Sequence, residues 1–142
     1  MVVIDASVYV SRVQRQEDHH GESVSWLDAV ATHQIPVVCP EILLPEVAAA
    51  VARGLDDTEL GYRVAVHLRT LPGHRFVAVD SVLSGRAACL AAECRLRGSD
   101  AIYAAVAQRE GACLITWDKQ QRERAAAVVE TLTPAEALDV WG

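Results

Sequence analysis

The chain opens on the run Val2-Val3-Ile4-Asp5, in which three β-branched apolar residues are followed directly by a carboxylate. An uninterrupted apolar run of this kind is typical of a strand that is buried on both faces of a sheet. Similar runs recur at residues 35–39, 76–79 and 113–116, and Val128-Val129 is a candidate for a short fifth strand. Stretches of helical periodicity separate the runs, which predicts a parallel sheet covered by helices on both faces.

The predicted fold class is therefore α/β, with three layers around a central parallel sheet of four to five strands. A chain of 142 residues suits a single domain, residues 1–142, with one hydrophobic core. No apolar stretch approaches the roughly 20 residues that cross a bilayer, so no membrane association is expected. The first residues lack the basic start and the long apolar core of a signal peptide, which predicts a cytoplasmic protein.

Several helix ends are marked by residues that satisfy free backbone groups. Asp56 and Glu59 stand three residues apart and predict a capping box that opens a helix running to about Leu71. The segment Thr133-Pro134-Ala135-Glu136 predicts a second capping box at the start of a short final helix. Asp80 follows the third predicted strand and is assigned as the cap of the next helix.

Motif searches exclude several classes of site. The sequence contains no zincin, dinucleotide-binding, P-loop or serine-hydrolase motif. The four cysteines form no C-x-x-C pair and are predicted to be ordinary buried thiols. The pair His19-His20 stands in a polar stretch and is predicted to lie in a surface loop.

Four carboxylates are expected at one edge of the sheet, because ligands of such folds bind outside the carboxyl ends of the strands. Asp5 follows the first strand, and Asp118 comes two residues after Thr116 of the fourth. Glu46 lies near the start of the helix after the second strand, and Asp100 opens the apolar helix before the fourth. Each of these acids also has a simpler explanation as a turn, cap or helix-dipole residue.

Four such side chains in one place would repel one another and raise each other's pKa unless cations lay between them. Clustered carboxylate oxygens suit Mg²⁺ or Mn²⁺ rather than zinc. One or two ions of this kind can activate a water molecule and stabilise an in-line phosphoryl displacement. The residues therefore predict a metal-dependent phosphodiesterase or phosphatase.

The same acids lie in four segments that resemble the motifs of PIN-domain ribonucleases, especially the VapC-type toxins of prokaryotic toxin–antitoxin pairs. The third segment is the closest match, and the set covers residues 2 to about 118 in family order. The segments are Val3-Ile4-Asp5-Ala6-Ser7-Val8, Leu44-Pro45-Glu46-Val47, Arg97-Gly98-Ser99-Asp100-Ala101-Ile102-Tyr103-Ala104-Ala105-Val106-Ala107 and Leu114-Ile115-Thr116-Trp117-Asp118. The resemblance implies a Rossmann-like sheet and a Mg²⁺- or Mn²⁺-dependent endoribonuclease that cleaves single-stranded or structured RNA.

The resemblance also implies a role for individual residues. The metal-binding and catalytic acids would be Asp5, Glu46, Asp100 and Asp118. Ser7 and Thr116 match hydroxyl positions that support the site, although local turn hydrogen bonds explain them equally well. Some family members carry a further acid two residues beyond the fourth motif, where this chain has Gln120. One or two ions are therefore expected, the second of them weakly held.

Partners are implied in the same way. The family forms homodimers and is inhibited by a small VapB-like antitoxin, which places a chain segment over the site. An arginine entering an acidic pocket would be a reasonable charge match. Two alternatives to the ribonuclease remain open: a non-catalytic PIN scaffold that binds RNA or a protein, and a metal-dependent phosphatase. A haloacid-dehalogenase phosphatase would need a second acid where Ser7 stands.

The net charge of -6 argues against a broad basic surface of the kind that binds nucleic acid non-specifically. Four of the negative charges belong to the predicted site, however, and divalent ions would offset them. The sequence therefore allows an RNA substrate but predicts poor RNA binding without metal. The weakly indicated RNA contacts are Lys119, Arg122, Arg12 and Arg15, and a solvated helix face with ion pairs is the simpler explanation for each.

Overall fold

The computed structural model describes residues 1–142 as a five-stranded sheet with eight helices. The strands are β1 (Val2–Ile4), β2 (Val37–Pro40), β3 (His74–Val77), β4 (Cys113–Ile115) and β5 (Thr131–Leu132). The helices are α1 (Ala6–Val13), α2 (His20–Thr32), α3 (Leu43–Leu55), α4 (Thr58–Leu68), α5 (Ser81–Cys94), α6 (Gly98–Glu110), α7 (Lys119–Ala125) and α8 (Pro134–Trp141). None of the helices has the length and apolarity that a membrane crossing requires.

All strands are parallel and lie in the order β3-β2-β1-β4-β5. This arrangement confirms the predicted three-layer α/β class. The chain builds the sheet outward from β1 through β2 to β3, and then returns to the other side of β1 with β4. The strand order therefore reverses between β1 and β4, which is where ligand crevices form in open α/β sheets.

The central strand β1 is fully buried, as the opening apolar run predicted. Val2, Val3 and Ile4 are each 0% exposed, and they pair in register with Cys113 to Ile115 of β4. The backbone N–H of Asp5 continues this pairing by donating to the carbonyl of Ile115 at 2.9 Å. The carboxylate is thereby fixed at the point where the sheet order reverses.

Helix α6 is buried on nearly every side. Ala101 and residues 103–107 are all 0% exposed, and the small side chains of the alanines among them let the helix lie close to β1, β2 and β4. The apolar character that the sequence shows all round this helix predicted that burial. As a result, the first turn of α6 brings Asp100 to the same edge of the sheet as Asp5.

Several element boundaries differ from the predictions. Helix α1 was not predicted, because its Val8 and Val10 continue the β-branched pattern of the preceding strand. The fifth strand is β5 rather than Val128-Val129. The cap of α4 is Asp57, which accepts a hydrogen bond from Leu60 N–H at 2.9 Å, whereas Asp56 ends α3 in the left-handed conformation with φ 49°. The helix also stops before Leu71, at Leu68.

Other local predictions are confirmed. Asp80 accepts a hydrogen bond from Leu83 N–H at 2.9 Å at the start of α5. Thr133 and Glu136 form the predicted capping box.

Among the cysteines, the prediction of burial is wrong for Cys89, which is exposed because it lies on the outer face of α5.

The packing around α6 leaves no room for a larger side chain. We expect Ala104→Leu to lower the free energy of unfolding by about 1–3 kcal/mol, because the added carbons must displace buried neighbours. Urea denaturation measures this change, and Ala88→Leu on the exposed face of α5 is the matched control. Equal effects of the two substitutions would contradict the tight packing of α6.

Candidate functional site

A crevice of about 650 Å³ opens at the carboxyl ends of β1 and β4. We call it the acidic crevice, because all four predicted acids line it: Asp5, Glu46, Asp100 and Asp118. The structure thus brings together side chains from four separate segments of the chain. Each acid lies at the beginning of a helix, where the positive end of the helix dipole favours negative charge.

Asp5 is one of the buried side chains that line the acidic crevice. It is 7% exposed and caps α1, and its Oδ2 accepts a hydrogen bond from Ser7 N–H at 3.0 Å. Burial raises the pKa of Asp5 above its ordinary value, while the hydrogen bonds from Ser7 oppose that increase. The nearby charge of Asp118 raises this pKa further.

Glu46 and Asp100 face Asp5 from two helices. Glu46 Oε1 accepts a hydrogen bond at 2.6 Å from the hydroxyl of Tyr103, which the buried helix α6 supplies. Burial raises the pKa of Glu46, and the charges of Asp5 and Asp100 add to that increase. Burial also raises the pKa of Asp100, against the lowering effect of Arg97. The carboxylates are therefore close enough to destabilise one another's charge.

Thr116 joins two of the acids. It is 0% exposed, and its hydroxyl donates to Asp5 Oδ2 at 3.4 Å and accepts from Asp118 N–H at 3.0 Å. Ser7 makes a second connection, since its Oγ accepts a hydrogen bond from Trp117 N–H at 3.2 Å. Both hydroxyls therefore hold the end of β1 against the segment that follows β4.

Arg97 lies between two of the carboxylates. Its Nε donates to Asp100 Oδ2 at 3.1 Å, and its Nη2 donates to Asp118 Oδ2. Arg97 was predicted only as part of a motif and without a role. The spacing of three residues to Asp100 was the visible signal, because the side chains of an N-cap residue and of the third helical residue lie close together. The bridge to Asp118 spans 21 residues and gives no local signal.

The donor set fits a hard divalent cation in its chemistry. All four acids offer carboxylate oxygens, which Mg²⁺ and Mn²⁺ prefer, and three of them have pKa values raised by their surroundings. No three His, Cys, Asp or Glu side chains are yet arranged to hold one ion. Because Arg97 engages Asp100 and Asp118, rotation of this largely exposed side chain is what would free their oxygens.

The four basic residues predicted to contact RNA do not line the acidic crevice. Arg12 pairs with Asp28 at 3.0 Å, and Lys119 approaches Glu123 at 3.8 Å. The crevice also contains neither Arg15 nor Arg122, and its arginines are Arg53 and Arg97.

Two aromatic side chains at this site were not predicted to take part in it. Trp117 and His19 both line the acidic crevice, and their rings stack on one another. His20, the other member of the predicted loop pair, instead begins α2.

A protein-family model described as "PIN domain" matches residues 2–127. The chain belongs to the PIN domain family. No curated protein sequence matches this PIN domain. The match extends from β1 into the segment after α7 and so contains every acid of the crevice.

Solved structures share the fold of this PIN domain over most of its length. FitAcB from Neisseria gonorrhoeae has 20% identity and a TM-score of 0.73, with 94% of this chain and 98% of that chain covered. A toxin–antitoxin complex from Klebsiella pneumoniae has 21% identity and a TM-score of 0.68, with coverage of 94% and 98%. VapC20 from Mycobacterium tuberculosis, described as a sarcin-ricin loop cleaving toxin, has 20% identity and a TM-score of 0.69, with coverage of 92% and 98%.

The raised pKa of Asp5 predicts how stability depends on pH without metal. A folded-state pKa above the ordinary 3.8 means that the folded protein binds more protons than the unfolded chain. The contribution of Asp5 to stability is then most favourable at low pH and is lost as the pH rises through its folded-state pKa. We expect Asp5→Asn to raise the melting temperature at pH 7 in chelator, with a difference that shrinks toward about pH 4.

The matched control for this experiment is Asp80→Asn. Asp80 likewise caps a helix, α5, through its side chain but lies outside the acidic crevice. Thermal unfolding of both variants across this pH range separates the effect of burial from the effect of capping. A melting temperature for Asp5→Asn at or below the wild-type value at pH 7 would contradict the account.

Proposed function

We propose that this PIN domain is a divalent-metal-dependent endoribonuclease and the toxin of a VapC-type toxin–antitoxin pair. The observation that carries the proposal is the meeting of four carboxylates, from four separate segments, in one crevice at the reversal of strand order. A mutually repelling set of acids in this position serves no purpose in packing. It suits a site that takes up cations together with a phosphodiester.

The four acids would hold one or two Mg²⁺ or Mn²⁺ ions, namely Asp5, Glu46, Asp100 and Asp118. An ion bound there supplies positive charge that activates water and stabilises the reacting phosphate. The chain's own groups orient the acids. Tyr103 holds one oxygen of Glu46, and Thr116 and Ser7 support the crevice from below. Burial raises the pKa of Glu46, which makes it a better proton acceptor than an ordinary glutamate and suits it to receive a proton from the attacking water.

The toxin role is supported by solved structures of the same fold that belong to toxin–antitoxin complexes. A FitAB complex and VapBC from Salmonella typhimurium, with TM-scores of 0.73 and 0.66, are both described as bound to DNA. By this analogy we propose a VapB-like antitoxin, a homodimer and a cytoplasmic setting for this chain. Arg97 illustrates that a guanidinium fits between Asp100 and Asp118, so an arginine from the antitoxin would be chemically suited to the acidic crevice.

One observation favours a second candidate, a PIN scaffold that binds RNA or a protein without cleaving it. No three of the acids are arranged around a single point, and Arg97 already forms ion pairs with two of them, Asp100 and Asp118. Such a scaffold would gain no stability from divalent ions. A ribonuclease that binds the ion in its folded state would gain stability from it.

The ribonuclease is tested by incubating the protein with single-stranded RNA and Mg²⁺ or Mn²⁺. We expect cleavage that stops with chelator and falls by about 100-fold or more in Asp5→Asn and Asp100→Asn, because each variant loses a charged ligand. Asp80→Asn again serves as the control and should cleave at the wild-type rate. Cleavage that survives both crevice substitutions and chelation would exclude the proposed mechanism. Hydrolysis of small phosphate esters without cleavage of RNA would favour a phosphatase.

Metal binding can be measured apart from activity. Arg97→Gln should bind Mn²⁺ more tightly, by up to about fivefold, since the two ion pairs of the largely exposed Arg97, worth roughly 1 kcal/mol together, no longer compete for Asp100 and Asp118. Isothermal titration gives the affinity. Arg53→Gln is the matched control, because it removes the same charge from the crevice without touching a carboxylate. Weaker Mn²⁺ binding in Arg97→Gln than in the control would contradict the competition.

A further inference from the structure

The entrance to the acidic crevice carries a stacked pair of aromatic rings. The imidazole of His19 lies on the indole of Trp117, with ring centroids 3.8 Å apart and planes inclined by 7°. Both residues line the crevice, and Trp117 directly precedes Asp118 in sequence. The rings therefore lie beside the carboxylates.

The indole of Trp117 is held in place through a hydrogen bond to a pair of buried serines. Its Nε1–H donates to the Oγ of Ser23 at 2.7 Å, and Ser23 is also hydrogen-bonded to Ser11. Both serines are buried, at 0% and 5% exposure, and Ser11 donates in turn to the carbonyl of Val8. Buried hydroxyls are unfavourable unless they are hydrogen-bonded, and a fully bonded network fixes the orientation of its members. The indole plane is thus set by the interior of the protein.

His19 covers Trp117 but remains accessible itself. It precedes α2, and its side chain is 50% exposed, with Nδ1 3.4 Å from Glu22 Oε2. One face of the imidazole contacts the indole, and the exposure leaves the ring open to a further planar group. A third ring can therefore continue the stack at the edge of the acidic crevice.

We propose that His19 and Trp117 form a platform on which a nucleobase of single-stranded RNA stacks, next to the phosphodiester at the acids. The inference rests on the ribonuclease function proposed above and names how the substrate is held. Unpaired RNA bases are commonly bound by stacking on aromatic rings, including histidine, and every base offers a face.

The platform also accounts for substrate binding by a protein of net charge -6. The basic residues first considered for RNA contact lie outside the crevice, so phosphate contacts there are few. Stacking supplies attraction that does not depend on positive charge and is little affected by salt. This favours unpaired nucleotides, whose bases are free to leave their neighbours.

The test uses a fluorescent single-stranded RNA 12-mer and fluorescence anisotropy with Mn²⁺ present, in an Asp5→Asn background that limits cleavage. His19→Ala should weaken binding by about tenfold, which lies within the range for loss of one base–aromatic stack. His19→Phe should restore affinity, because it keeps a flat ring. His33→Ala, an exposed histidine at the other end of α2, is the matched control and should bind as the parent does.

A second probe separates stacking from charge. A 12-mer with the same backbone but no bases should bind all of these variants equally. Trp117→Phe retains a ring without the bond to Ser23, and we expect an intermediate loss for the RNA with bases. The platform is overturned if His19→Ala binds that RNA like His33→Ala, if the abasic probe loses as much affinity, or if the parent binds no RNA.

The result is distinguishable from failure of the ribonuclease itself. In the otherwise wild-type protein, His19→Ala should raise KM for RNA and leave kcat nearly unchanged. Cleavage with unaltered KM in His19→Ala would contradict the proposed platform and still support the proposed ribonuclease function. RNA binding that depends on His19, without any cleavage by the wild-type protein, would support the platform and contradict the ribonuclease function.

Discussion

The pairing of β1 with β4 is the constraint on which the rest of the site depends. It puts Asp5 at the end of a fully buried strand, beside the segment that leads to Asp118, at the reversal of strand order. A carboxylate in that position is poorly solvated and needs compensation. The compensation comes from the start of α1, from the hydrogen bonds of Ser7, and from the hydroxyl of Thr116. The polar structure of the acidic crevice is therefore a response to one buried charge and its neighbours.

The acids were predictable from the sequence because each is local to a pattern. Asp5 ends an apolar run, and Asp100 opens a helix whose residues are apolar on every side. Helix α1 was not predictable in this way, because its β-branched residues suit a strand equally well and only the cap at Asp5 ends β1. The Arg97 bridge and the stack of His19 on Trp117 were missed because they join segments that are distant in sequence. Contacts of that kind depend on tertiary structure, which periodicity does not encode.

The acids and the aromatic pair are positioned by rigid elements rather than by long loops. Helix α6 supplies both Asp100 and Tyr103, and it is locked between the sheet and its neighbours by small side chains. Trp117 is tied by its backbone to Ser7 and by its indole to Ser23. A site supported in this way is pre-organised, so that little conformational freedom is lost when a substrate binds. The exposed Arg97 and His19 are the parts best able to move.

The ion pairs of Arg97 also affect the order in which folding and metal binding can occur. Where the ligands of a metal site carry uncompensated negative charge, folding can depend on binding of the ion. Here the single positive charge of Arg97 already offsets part of the charge on Asp100 and Asp118, which lessens the need for an ion during folding. In the ribonuclease that we propose, a folded molecule without metal would become active only after Arg97 releases the two carboxylates.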